Sequence, residues 1–110
     1  MEEGKEPLAQ VVGTDNSGLA IVYKDGSPTL YYSIHIGWHA ASGQKVPFSL
    51  ILKIELLKSN FLFAPKVRVT LKTGRVLCEI PLGRSKADKQ MALDFLRVAR
   101  GCFRAESNKE

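Results

Sequence analysis

Cysteine is scarce: the 110 residues hold only Cys78 and Cys102. Two thiols without C-x-x-C spacing make neither a disulfide framework nor a dithiol redox motif. They read as reduced core thiols of an intracellular protein. Long apolar runs are missing as well. The longest mostly apolar stretch, around Phe48–Leu57, is broken by Lys53 and Glu55 and falls far short of the roughly 20 residues of a membrane span. The opening MEEGKEP is acidic and polar, which does not fit a secretory signal. No G-x-S-x-G, H-E-x-x-H or P-loop pattern occurs, and Gly13 to Gly18 reads as a turn rather than a dinucleotide loop. The eleven carboxylates form no spaced pair in an apolar setting. His35 and His39 fall in a strand-like segment, where four steps separate them by some 13 Å, too far for one ion. The expectation is therefore a protein that is not an enzyme and has neither cofactor nor metal.

What is present is ordinary globular material. The chain is 45% hydrophobic and 25% charged, and its length suits one domain, taken as residues 1–104 with a polar tail over 105–110 that should fray. The net charge of +5 is unevenly placed: residues 1–50 carry −2, residues 51–104 carry +8, and the last six carry −1. A basic half points to an acidic partner, although a merely soluble surface can look the same.

Turn clusters such as Thr14–Gly18, Asp25–Pro28, Ala41–Gln44, Ser59–Asn60, Lys72–Gly74 and Pro81–Gly83 punctuate the chain, and between them the apolar period is two. Leu30, Tyr32, Ile34, Ile36 and Trp38 share one face and are expected to point inward. The same alternation assigns Phe48, Leu50, Leu52, Ile54 and Leu56 to the core, then Val67, Val69 and Leu71, then Val76, Cys78 and Ile80. Leu71–Val76 reads as a hairpin whose Gly74 supplies a positive φ. From Lys86 the period becomes helical. Met91, Ala92, Phe95, Leu96, Val98, Ala99, Cys102 and Phe103 fall on one arc at about 100° per residue, and Ser85 with Asp88 resembles a capping box. An antiparallel strand run closed by one amphipathic helix excludes a parallel βαβ design.

One strand carries a chemical signal. Along Lys66–Lys72 the outward set Lys66, Arg68, Thr70 and Lys72 forms a ladder with about 6.6 Å between rungs. Lys53 and Lys58 lie on or just after the preceding strand, and Arg75 follows on the hairpin partner. Outward apolar groups, Ile51 and Leu57 with Leu62 or Leu77, sit among them. Such a face could be a solvated one whose cationic stems cover apolar surface, and it also suits an amphipathic acidic peptide. Nucleic acid would favour exposed aromatics for stacking; Tyr23, Tyr31 and Phe61 or Phe63 do not cluster with the basic strand.

A strand meander closed by one helix is similar to a pleckstrin-homology-like β-barrel or sandwich capped by an amphipathic helix. Within that superfamily the chain resembles the amino-terminal domain of the 62-kDa subunit of general transcription factor TFIIH. The carrying residues are Gln10–Gly13, Pro28–Tyr32, Ile36-Gly37-Trp38 with a Gly43-Gln44-Lys45 turn, the strand Ile51–Leu57, Lys66–Leu71, Thr73-Gly74, and a helix with Asp88 near its start and Leu93–Leu96 within. The resemblance implies a nuclear, non-catalytic interaction domain of a transcription and nucleotide-excision-repair complex. Such a domain docks acidic, partly disordered protein segments, here against Lys66, Arg68 and Thr70. The chain departs from that family in placing the short Thr70 where a longer side chain is expected, and in a short 59–65 loop. The alternatives are a nucleic-acid-binding β domain and a phosphoinositide-binding pleckstrin-homology module. The latter is weakened because Lys24-Asp25-Gly26 offers one cation beside one acid.

Overall fold

Period-two patterning becomes strand where β-branched and aromatic residues alternate with polar ones, and among the described residues seven strands form. The computed structural model describes residues 8–24, 26–36, 39–58, 61–62 and 64–107. Strands β1 (Ala9–Val12), β2 (Gly18–Lys24), β3 (Ser27–Ile36) and β4 (His39–Pro47) form one antiparallel sheet in chain order. A 3-10 turn, Phe48–Leu50, leads into β5 (Ile51–Leu57), β6 (Lys66–Leu71) and β7 (Val76–Pro81), which form a second antiparallel sheet in the same serial manner. Helix α1 (Lys86–Ser107) closes the stack. The fold is the expected mainly β sandwich of pleckstrin-homology-like type with one C-terminal helix, and among the described residues the two sheets do not join into a closed barrel.

The core lies between the sheets and under the helix. Val11, Leu19, Ile21 and Leu30 meet Ile51, Val67, Val69 and Ile80, and α1 adds Ala92, Phe95, Ala99 and Cys102, all buried. Phe48 reaches from the 3-10 turn to Phe103 on the helix, with ring centroids 5.1 Å apart and planes at 69°, an edge-to-face pair. The helix start is capped as the sequence predicts: Ser85 Oγ accepts from the Asp88 amide at 3.1 Å. The Leu71–Val76 hairpin also forms, with Gly74 at φ 94°.

Three bulges displace the simple alternation. On β5 the register with β6 jumps between Ile51 and Lys53, so Leu52 is an extra residue and the inward parity changes there. Ile51 is consequently buried rather than outward, while Leu50 and Leu52, expected inside, are more than half exposed. A second jump, at Val69/Thr70 against β7, makes Leu77 the extra residue; Val76 turns outward and is 45% exposed. The third, between Ile34 and His35, sits in the β3–β4 pair. Ala41–Gln44 and Gly43–Lys45, read as turns, lie inside β4. Because β3 ends at Ile36 and the antiparallel β4 begins at His39, the two histidines are not on one continuous strand, and the 13 Å separation does not apply. The inward placement of Trp38 lies outside the described residues, as does the Ser59–Asn60 turn. The helix runs three residues past the expected end of the domain at 104.

The β1–β2 turn is where backbones cross. The Gly13 amide donates to the Ser17 carbonyl and the Thr14 amide to the Pro81 carbonyl, both at 2.8 Å, which ties the first sheet to the end of β7. A Cβ on Gly13 would stand 2.8 Å from Ile80 Cγ2 and 3.0 Å from the Pro81 carbonyl oxygen. Gly13→Ala should therefore destabilise by about 1–3 kcal/mol. Gly101 on α1 is the opposite case, with nothing within 4 Å of its added methyl. Gly101→Ala should stabilise by up to about 1 kcal/mol, because alanine loses less backbone freedom in a helix. Urea denaturation of both variants checks the opposite signs.

Candidate functional site

The outer face of the β5–β6–β7 sheet is set by the alternation of β6, its central strand. Val67 and Val69 are buried, so Lys66 and Arg68 point away from the core. Register places Glu79 of β7 directly beside Arg68 on one flank and Glu55 of β5 on the other. Glu79, on the edge strand β7, joins the two cations of β6. Its Oε1 accepts from Lys66 Nζ at 3.0 Å and its Oε2 from Arg68 Nε at 2.6 Å. Those two bonds, Lys66 first and Arg68 second, hold its carboxyl below the usual glutamate range. Lys53 Nζ lies 3.5 Å from Glu55. Leu57 and Val76 are the apolar groups on the same outward register, paired with Lys66 and Thr70.

Of the ladder inferred from sequence, Lys66 and Arg68 stand on the outward face, and their charge is largely matched. Thr70 departs from expectation: it is 8% exposed, a short side chain on the central strand between Lys53 and Val76, and cannot reach a ligand as a rung. The seven candidate residues also do not form one patch. Lys53, Lys66 and Arg68 share the face; Lys72 and Arg75 belong to the β6–β7 hairpin; Lys58 lies just past the end of β5, at the opposite end of the sheet. Six residues of strand put those two ends about 16 Å apart.

Lys58 instead borders a recess of about 480 Å³ together with Arg84 and Lys89, over a floor that includes Leu56, Leu82 and Leu93. Periodicity could not find this grouping, because Arg84 and Lys89 lie in the loop before α1 and in its first turns. The only sequence signal was their share of the basic half.

The aromatic candidates do not cluster, and Phe63 lies outside the described residues. Tyr23 and Tyr31 belong to the four-stranded sheet, where Lys45 Nζ sits 5.7 Å over the Tyr31 ring. Phe61 is almost wholly exposed in the β5–β6 connection. No group of three or more His, Cys, Asp or Glu among the described residues is placed to hold a metal ion. No described helix is long and apolar enough to cross a membrane.

The two thiols are buried and free. Burial, with the Glu79 charge second, pushes the Cys78 thiol up to about 12, and burial likewise raises Cys102, with Glu106 adding to it. Since the thiolate is the nucleophile, neither should react with iodoacetamide at pH 8 in the folded protein, and both should react in denaturant. Mass spectrometry of the alkylated chain checks this; rapid native labelling of Cys78 would contradict its inward register.

Comparison of the chain with protein-family models, curated proteins and solved structures finds no match, so the reading of the face stands on its residues.

Proposed function

We propose that the chain is a non-catalytic protein-interaction domain that docks acidic, partly disordered segments on the outer face of β5–β7. This is the role implied by its resemblance to the TFIIH 62-kDa subunit domain, in nuclear transcription and repair complexes. The observation that carries the reading is the Lys66–Glu79–Arg68 cluster beside outward Leu57 and Val76. Exposed ion pairs contribute only about 0–1 kcal/mol each, so a ligand carboxylate can displace Glu79 at little cost. The neighbouring apolar groups then give an extended amphipathic segment something to cover. Stacking nucleic acid is less well served, because Tyr23 and Tyr31 stand on the other sheet and Phe61, in the β5–β6 connection, is a single exposed ring among the described residues of this one.

The deciding experiment is an NMR titration of the 15N-labelled protein with three probes: an Asp/Glu-rich peptide bearing one Phe, a short DNA duplex, and a soluble inositol phosphate. The peptide should shift amides of Lys66–Thr70 and Val76–Glu79 and saturate in the micromolar range or somewhat tighter, on the order expected when a disordered ligand must be ordered. Saturable shifts with the duplex or the inositol phosphate, and none with the peptide, would overturn it.

A further inference from the structure

We propose that the outward stripe of α1 is a second binding surface, which holds the phosphate backbone of duplex DNA, and this surface is independent of the docking face on β5–β7. Helix α1 runs 22 residues, and Lys86, Lys89, Leu93, Arg97, Arg100 and Arg104 follow one another along it at steps of three or four. At about 100° per residue all six fall within an arc of about 80°. Each of them is exposed. The buried Ala92, Phe95, Ala99 and Cys102 lie on the opposite side, where the helix packs on β1, β5 and the 3-10 turn. The stripe is therefore carried by a helix whose other side is fixed to the core. Lys86 and Arg104 stand about 27 Å apart along it, at about 1.5 Å per residue.

The charge of the stripe has one sign. Asp88 and Glu106 are half-buried and fall on the core side of the helix. Asp94 stands on the flank, where its Oδ1 accepts from Gln90 Nε2 at 3.0 Å and from the Arg97 guanidinium at 2.8 Å. Lys86, Lys89, Arg100 and Arg104 have no ion-pair partner among the described residues, whereas Lys66 and Arg68 on the sheet are held by Glu79. A line of unmatched cations on a fixed support is complementary to a polyanion that is itself a line of charge.

The side chains present select the polyanion. Arg97, Arg100 and Arg104 are planar guanidinium groups, which meet phosphate oxygens in bidentate fashion. Leu93 is the one apolar side chain among the six, too little for an amphipathic peptide that needs several anchors. The six include no aromatic ring on which the bases of a single strand could stack. A duplex presents phosphates and keeps its bases stacked inside. With one charge per roughly 1.7 Å of axis, about 27 Å of duplex offers about 16 phosphates, so every cation of the stripe has one within reach. The B-form major groove, about 12 Å wide, admits the outward side of a helix, while the A-form groove of RNA is too narrow.

The test is fluorescence anisotropy of a labelled mixed-sequence DNA duplex against the full chain, with amide shifts to locate the contact. Binding should be sequence-independent, with Kd of roughly 10⁻⁴–10⁻⁶ M at physiological salt, and log K should fall with log salt at a slope of about −4, as four or five phosphate contacts require. Amides of α1 should shift. Arg100→Gln with Arg104→Gln should weaken the duplex about tenfold at low salt and make the slope shallower by about 2. Lys86→Gln with Lys89→Gln, at the other end of the helix, should do the same. Lys66→Gln with Arg68→Gln, an equal charge loss on the docking face, should leave the duplex within about twofold. An equal loss from that variant, or shifts confined to β6 and β7, would overturn the stripe, as would no saturable binding at low salt. A single strand or an RNA duplex bound as tightly as the DNA duplex would overturn the choice of ligand. So would an Asp/Glu-rich peptide that shifts α1 as strongly as the duplex does. Duplex shifts on α1 with no acidic-peptide shifts on β5–β7 would support the stripe and overturn the docking role instead. The amide spectrum of each free variant verifies its fold.

Discussion

Phe95→Ala should lower the stability of the fold by about 3–5 kcal/mol, the largest effect expected of a single side chain here. Phe95 is fully buried at the middle of α1, in the cluster that also holds Ala92, Ala99 and Cys102, and the helix packs on β1, β5 and the 3-10 turn. Removing the ring takes away its apolar burial and leaves a cavity that small neighbours such as Ala92 and Ala99 cannot fill. On the opposite face, Arg97→Ala and Arg100→Ala should each stay within about 0.5 kcal/mol. Arg97 forms one exposed ion pair, with Asp94 at 2.8 Å, and such pairs contribute little. Urea denaturation of the three variants at equal slope checks the contrast. Small, similar effects at all three would mean that α1 does not close the sandwich.

The second large effect concerns binding, and its signs are opposed. Lys66→Gln with Arg68→Gln should weaken an acidic peptide about tenfold, since two contacts of somewhat under 1 kcal/mol each sum to the 1.4 kcal/mol of one decade. Glu79→Gln should strengthen the same peptide several-fold, because the two cations would lose the carboxylate that now occupies them. Reversal to glutamate at both cations is a poorer test, since it would set two new carboxylates beside Glu79 and strain the face itself. The peptide's own Phe→Ala change should cost a comparable factor, because charge attracts while an apolar anchor fixes the pose. Titration calorimetry at fixed salt measures all three. A Glu79→Gln protein that binds no tighter, with a Lys66/Arg68 variant that binds no weaker, would make the ladder a solvated face and nothing more.

How much of this was legible without coordinates depends on how local each cause is. Period two in β6, period 3.6 after Lys86, Ser85 as cap and Gly74 as hairpin residue are properties of neighbouring residues, and each is seen where local chemistry puts it. The orientation of Lys66 and Arg68 belongs to the same class, because Val67 and Val69 on either side of Arg68 had only one core to enter. Bulges are different. An extra residue at Leu52 or Leu77 is defined only by the count on the partner strand, so the burial of Ile51 and the exposure of Val76 could not be read from alternation. The same holds for pairs across strands. Glu79 lies eleven residues from Arg68 and thirteen from Lys66, and only β6–β7 register sets its carboxylate between them. The recess needed still more, since Lys58, Arg84 and Lys89 converge only because the ends of β5 and β7 are packed beside the first turns of the helix. Local sequence determined which residues of β6 and α1 face out. Packing and register between distant segments decided which residues face out beside the bulges and which outward charges are neutralised.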